Sequence, residues 1–329
     1  MISEKDNYLM MLRGEVPEFL PRYRMMEWIT GISITMPHKN DVGDTIDEFG
    51  VKMATTEASM GAAMPKPGIV LIDDIRKWRD KLKIPDLSHV DWEKQARKDL
   101  EFKGDISGIP LIGFTGHYFL HVVNFMSFTE GLCAIQEEPE EVYAMLDYLC
   151  EYQLFKQKIM QKYYKIDVIC IPDDTAAAQF PFISMQTYEK LILPFYKRHA
   201  ELALDDGIYV TKHDCGKSEC FVDSWVNIGV TAWEPAQIMN DLDGIKKKYG
   251  RKLAIMGGWD NTGPVSFPEA DNEFLREELY KYVDRFAPGG GFGFMAAPNG
   301  NPKDERVKEK RAIIDDVYEN YAKPYYQTH

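Results

Sequence analysis

Ile208-Tyr209-Val210-Thr211-Lys212-His213-Asp214-Cys215-Gly216 is a β-rich run that closes on polar residues and a glycine. Similar runs stand at 109–114, 167–172, 230–234, 253–256 and 291–295. Helical stretches lie between them: 139–164, where Val142, Met145, Leu146 and Leu149 recur at helical spacing, then 186–204 and 274–286. Strands alternating with helices predict βα units around a parallel sheet. An extended segment over 19–28 and one strand near 49–53 raise the strand count to eight. The fold expected is α/β, a single (β/α)8 TIM barrel spanning residues 1–329. A helix over 3–12, capped by Ser3 and stopped by Gly14, precedes the barrel. Residues 30–68, rich in Met, Gly, Pro and Thr and without a sustained period, read as an irregular insertion. A doubly wound open sheet is the alternative, but no Gly-x-Gly-x-x-Gly turn follows an early strand to hold a dinucleotide.

Composition narrows the function. The chain carries 39 Lys and Arg against 52 Asp and Glu, a formal net charge of −13, so its field opposes nucleic acid and acidic membrane surfaces. Its longest apolar runs, such as Val168-Ile169-Cys170-Ile171, fall far short of the ~20 residues of a membrane helix. The first residues carry early acids and no apolar signal core, which predicts a cytoplasmic protein. Five cysteines are too few for a disulfide scaffold and fit reduced thiols.

In a barrel, chemistry sits where strands end. The polar endings here are Glu27, Thr115-Gly116-His117-Tyr118, Asp173-Asp174, His213-Asp214-Cys215, Trp233-Glu234 and Gly258-Trp259-Asp260. His213 and Cys215, two apart on an extended chain, point to one side, and Gly216 allows an immediate turn. An imidazole and a thiolate are zinc ligands, and a catalytic zinc site takes a third from the protein. Cys220, Glu234, Asp174 and Glu27 are the candidates for it. The alternative is a small buried cysteine beside a hydrogen-bonded histidine. In the Asp173-Asp174 pair, one acid would face substrate while the other caps the next turn. His117 and Tyr118 follow a small-residue turn that admits a ligand, and Trp233 and Trp259 would wall a flat substrate.

These residues, in this order, resemble the uroporphyrinogen decarboxylase superfamily from Asn7 to about Tyr321. The likeness rests on Asn7-Tyr8-Leu9, Leu12-Arg13-Gly14, Pro110-Leu111-Ile112-Gly113-Phe114-Thr115-Gly116 and Glu138-Pro139-Glu140-Glu141-Val142. It continues through Asp173-Asp174, His213-Asp214-Cys215-Gly216, Gly257-Gly258-Trp259-Asp260 and Gly289-Gly290-Gly291-Phe292. The resemblance implies a TIM barrel and two branches of activity. The decarboxylase branch holds propionates with an arginine-rich first strand, where this chain reads Arg24-Met25-Met26-Glu27-Trp28. The cobamide-dependent methyltransferase branch carries zinc through His-x-Cys, matched by His213 and Cys215. That branch's later third ligand is missing from Met295-Ala296-Ala297-Pro298-Asn299-Gly300.

The second branch implies an O-demethylase component: a methyltransferase moving the methyl group of a small, methoxylated aryl substrate to a corrinoid carried by a partner protein. On this reading His213, Cys215 and Glu234 hold Zn2+, and His213, Asp174 and Glu234 act on the leaving oxygen. His117, Tyr118, Asp173, Trp233, Trp259 and Glu27 bind substrate. The alternatives are a decarboxylase of a carboxylated ring and a non-catalytic protein that binds a corrinoid or aryl ligand.

Overall fold

The structure, a computed structural model, describes residues 2–29, 32–55, 63–101 and 103–329. In chain order its strands are β1 (Glu27–Ile29), β2 (His38–Lys39), β3 (Thr45–Ile46), β4 (Lys52–Thr55), β5 (Ala63–Pro65), β6 (Leu111–Phe114), β7 (Val168–Asp173), β8 (Tyr209–Asp214), β9 (Val230–Ala236), β10 (Ala254–Gly257) and β11 (Phe292–Gly293). One sheet has seven strands, ordered β1-β6-β7-β8-β9-β10-β11 and parallel throughout. The six runs expected from residue 109 onward are its last six strands. Helices cross over between them, including Pro139–Ile159, Leu193–Asp205, Leu242–Tyr249 and Asn272–Phe286. The helix expected over 186–204 divides at Ile192, because Pro194 starts a second helix.

The strand near 49–53 is a correction to the expected count. It becomes β4 of a separate antiparallel sheet, β2-β3-β4-β5. Tight turns decide this. The Asn40 side chain accepts from Asp44 N, and the Asp47 side chain accepts from the amides of Phe49 and Val51, with Gly43 and Gly50 at positive φ. Turns this short join antiparallel neighbours only, since a parallel crossover needs about a dozen residues. Residues 30, 31 and 56–62 of the expected insertion lie outside the described residues.

The extended stretch over 19–28 also divides. Arg22 bridges Phe294 in parallel register, Tyr23–Met25 form a 3-10 turn, and β1 then pairs with β6. Tyr23 N donates to Phe294 O (3.0 Å) and Phe294 N to Pro21 O (2.8 Å), so this one segment touches both edges of the sheet. The sheet is barrel-like, with seven strands rather than eight among the described residues.

Alternation sorts the side chains into two cores. Met26, Ile112, Val168, Cys170, Ala232, Ala254 and Met256 meet inside the curl, and a larger cluster fills the space between strands and helices. The helix Glu4–Leu12 begins at Ser3, whose side chain accepts from Asp6 N, and Gly14 follows it at φ +76°. Its Tyr8, Met11 and Leu12 complete the inner cluster. Lys5 reaches Gly108 O and Asp167, both just before strands, so this helix closes the end where the strands begin. The opposite rim is left for chemistry. No helix among the described residues is long and apolar enough to cross a membrane.

Candidate functional site

On β8 the chain alternates. Tyr209 joins the inner cluster, and Thr211 and His213 share its side by alternation. Lys212 and Asp214 take the other side and pair there, Nζ to Oδ2 2.9 Å, at 1% and 0% side-chain exposure. Register with β7 sets Pro172 opposite His213 and Asp173 opposite Asp214, which brings Asp174 level with Cys215. Cys215 N donates to Asp174 Oδ1 at 3.0 Å, and Cys215 Sγ lies 3.8 Å from His213 Nε2. One nitrogen, one sulfur and one carboxylate oxygen from His213, Cys215 and Asp174 thus lie within 4.8 Å of one another.

This donor set fits a borderline divalent ion. Zinc takes N, S and O ligands at about 2.0–2.3 Å, with three protein ligands and one open position in catalytic sites. Burial pushes the His213 pKa down to about 4, opposed by Asp174 and reinforced by Lys212, so its imidazole is neutral and able to ligate at pH 7. Burial, then the Asp174 charge, pushes the Cys215 thiol up. A cation between these groups would draw the Cys215 thiol back down toward its thiolate and hold His213 in the neutral form that ligates. Gly216 makes the turn possible: at φ +89°, a Cβ there would meet Ala176 O at 2.2 Å.

The other expected residues divide between rim and scaffold. Asp173 is wholly buried, and its oxygens accept from the amides of Tyr118, Phe119 and Leu120 and from Tyr196 Oη, so it anchors the start of the helix Phe119–Met126. It caps this earlier helix rather than the turn after its own strand, and at 0% exposure it stands in the scaffold and not among the substrate-facing residues expected. Tyr118 is also fully buried, bonded to His199 Nε2 at 2.7 Å and stacked on Phe195, which places it in the packing between sheet and helices. Trp233 turns outward too, donating to Asp214 O at 3.1 Å and packing on Trp225. Glu27 opens β1 rather than closing it, and its carboxylate is held by Lys103. Cys220 is exposed on a 3-10 turn.

Glu234 is in register with His213 but stands outside the three-residue cluster. Its Oε1 accepts from Cys170 Sγ at 3.4 Å and its buried Oε2 has no partner among the described residues. Burial raises its pKa to about 8, so the carboxyl holds its proton at neutral pH. His117 sits beside Phe114, which in turn lies against His213; burial and the His213 charge push the His117 pKa down to about 3.

A cavity of ≈ 290 Å3 opens at the ends of β9, β10 and β11. Trp259, expected to wall a substrate, lines it together with Tyr23, Phe294, Met295, Arg22 and Arg24. Gln237 lines it as well, and Gln237 Oε1 accepts from Gly216 N at 2.6 Å, which ties the cavity to the His213/Cys215 turn. Sequence reasoning missed Arg22, Tyr23 and Gln237. The signal for the first two was two arginines flanking a tyrosine just before the first strand, but only the bridge to Phe294 carries them to the rim.

No protein-family model matches the chain, and no curated protein matches it. Among solved structures the chain superposes on a methyltransferase from Methanosarcina mazei, with TM-score 0.62, 14% sequence identity, and coverage of 97% of this chain and 100% of that one. At that identity the likeness speaks for a shared fold.

Proposed function

We propose that this protein is a methyltransferase that takes the methyl group of a small aryl methyl ether and passes it to a corrinoid carried by a partner protein. One observation carries the reading: Asp174, His213 and Cys215 converge at the rim where strands end. The sequence resemblance to the cobamide-dependent methyltransferase branch supports it, as does a fold shared with a protein named as a methyltransferase.

An ether methyl is a poor electrophile because the departing oxygen keeps the bonding electron pair. His213, Cys215 and Asp174 would hold Zn2+, which when bound supplies Lewis acidity toward that oxygen. Asp174 takes the place of the third ligand expected from Glu234. Glu234 keeps a neutral carboxyl close to the inner cluster, and the released oxygen must take up one proton. Trp259 and Tyr23 wall the cavity and position a flat ring. The neutral imidazole of His117 leaves no extra positive charge beside His213.

The test is metal content and turnover together. Wild type should bind about one zinc per chain, His213→Ala and Cys215→Ala should lose it, and wild type should demethylate a methoxybenzene with a Co(I) corrinoid supplied. A wild type that holds no metal and transfers no methyl group from any aryl ether removes this reading.

A further inference from the structure

Three stretches far apart in the sequence meet at the end of the sheet where strands begin. The chain leaves the helix Glu4–Leu12 through Arg13-Gly14, enters β10 through the 3-10 turn Gly250–Lys252, and enters β11 through Gly289-Gly290-Gly291. Arg251 is where they join. A Cβ on Gly14 would lie 3.2 Å from Arg251 O, one on Gly290 3.2 Å from Arg251 Cδ, and one on Gly291 3.2 Å from Arg251 Cα, so these glycines make room for the arginine. Arg13, Arg251 and Lys252 then line a groove of ≈ 420 Å3, together with Thr231 near the start of β9.

The groove is positive in a chain of net charge −13. Among the described residues Glu15 is the carboxylate that pairs with any of the three cations, and it takes only Nε and one Nη of Arg13, at 2.8 and 3.3 Å. A guanidinium carries five N–H donors, so Arg13 has others left, and Arg251 and Lys252 are unpaired among the described residues. Complementing a helix dipole does not explain them, since the helix Leu242–Tyr249 already has Lys246, Lys247 and Lys248 in its last turn. We infer that this groove binds the phosphate chain of a small molecule, a diphosphate or triphosphate group. Forked guanidiniums match phosphate oxygens in pairs, an ammonium adds a point charge, and two or more phosphates supply the several negative charges that three cations call for. The volume falls within the roughly 300–1,000 Å3 of small-molecule sites. Thr231 begins the strand that Glu234 nears the end of, so the groove lies at the opposite end of the sheet from Asp174, His213 and Cys215 and is a second site.

Calorimetric titration of the full chain with pyrophosphate and with ATP, at fixed ionic strength, tests this without any methyl transfer. Wild type should bind both, and the double variant Arg251→Gln/Lys252→Gln should bind each about 10- to 100-fold more weakly, as expected for loss of charge-assisted bonds. Both side chains are exposed, so the variant should unfold at the wild-type temperature. A second basic groove, lined by Lys158, Lys162 and Lys165 but carrying its own carboxylate in Asp206, is the control for bare charge. Lys162→Gln/Lys165→Gln should leave binding unchanged, and so should His213→Ala, because the metal cluster is no part of this site. ATP held more tightly than pyrophosphate would assign the groove to a nucleotide, and ATP held no more tightly would assign it to the phosphate chain alone. No binding of either ligand to wild type, undiminished binding to Arg251→Gln/Lys252→Gln, or an equal loss in Lys162→Gln/Lys165→Gln or in His213→Ala would each overturn the proposal.

Discussion

Cys215 Sγ and His213 Nε2 lie 3.8 Å apart on one side of the chain, while Asp214 between them turns away to a buried ion pair with Lys212. The outward pair pins the backbone from behind, so the two ligands in front keep their spacing. Asp174 reaches the same point from the neighbouring strand by holding Cys215 N.

Metal affinity should follow this geometry. Cys215→Ala, His213→Ala and Asp174→Ala should each weaken zinc binding by at least about 100-fold, more than the roughly 10- to 100-fold seen for outer-shell changes. Glu234→Gln should change it by less than about tenfold. Competition with a chromophoric chelator reads all four, and a large loss in Glu234→Gln alone would return the third ligand to β9.

Gly216→Ala should damage the site without touching a ligand. Its Cβ would sit 2.2 Å from Ala176 O at a backbone φ of +89°. The strain should cost about 1–3 kcal/mol in urea unfolding and shift Cys215 enough to weaken zinc. Wild-type stability and zinc affinity in this variant would contradict the crowding.

The buried carboxyl of Glu234 makes stability depend on pH. Its folded pKa is about 8 against an ordinary 4.5, so the folded chain keeps a proton that the unfolded chain releases between these values. The contribution is fully present below about pH 4.5, declines as pH rises, and is lost above about pH 8. At about 1.4 kcal/mol per pK unit, wild type should lose a few kcal/mol relative to Glu234→Gln between pH 5 and pH 8.5. Urea unfolding of chelator-treated protein measures it, and parallel curves for the two proteins would refute a raised Glu234.

The two tryptophans expected at the rim should part company. Trp259→Ala should weaken binding of aromatic ligands about tenfold, since Trp259 lines the cavity. Trp233→Phe should leave ligand binding alone and cost about 1–3 kcal/mol of stability, because it removes a buried bond to Asp214 O and packing against Trp225. Titration with anisole and thermal unfolding separate the two effects.

Much of the sheet was legible because each strand from β6 to β10 is a short apolar run closed by polar residues and β11 lies in an apolar run after three glycines, patterns local to the chain. β1 and β4 were not. β1 is short and follows a 3-10 turn, and β4 carries a strand-like sequence that its tight turns send to another sheet. Of the site, His213 and Cys215 were legible because period-2 alternation is a property of any extended chain. Tyr118 and Trp233 misled, because a polar-tipped aromatic at a strand end reads alike whether it faces the rim or the helix layer.

Sequence alone determined the alternation of strands and helices, the His213-x-Cys215 spacing and the turn at Gly216, since each depends on neighbours in the chain. Tertiary structure alone decided that Asp174 rather than Glu234 joins the pair, that Glu27 faces Lys103, and that Arg24 stands in the cavity beside Trp259. Those outcomes depend on strand register and on the bridge from Arg22 to Phe294, contacts between residues far apart in the chain, and no local pattern carries that information.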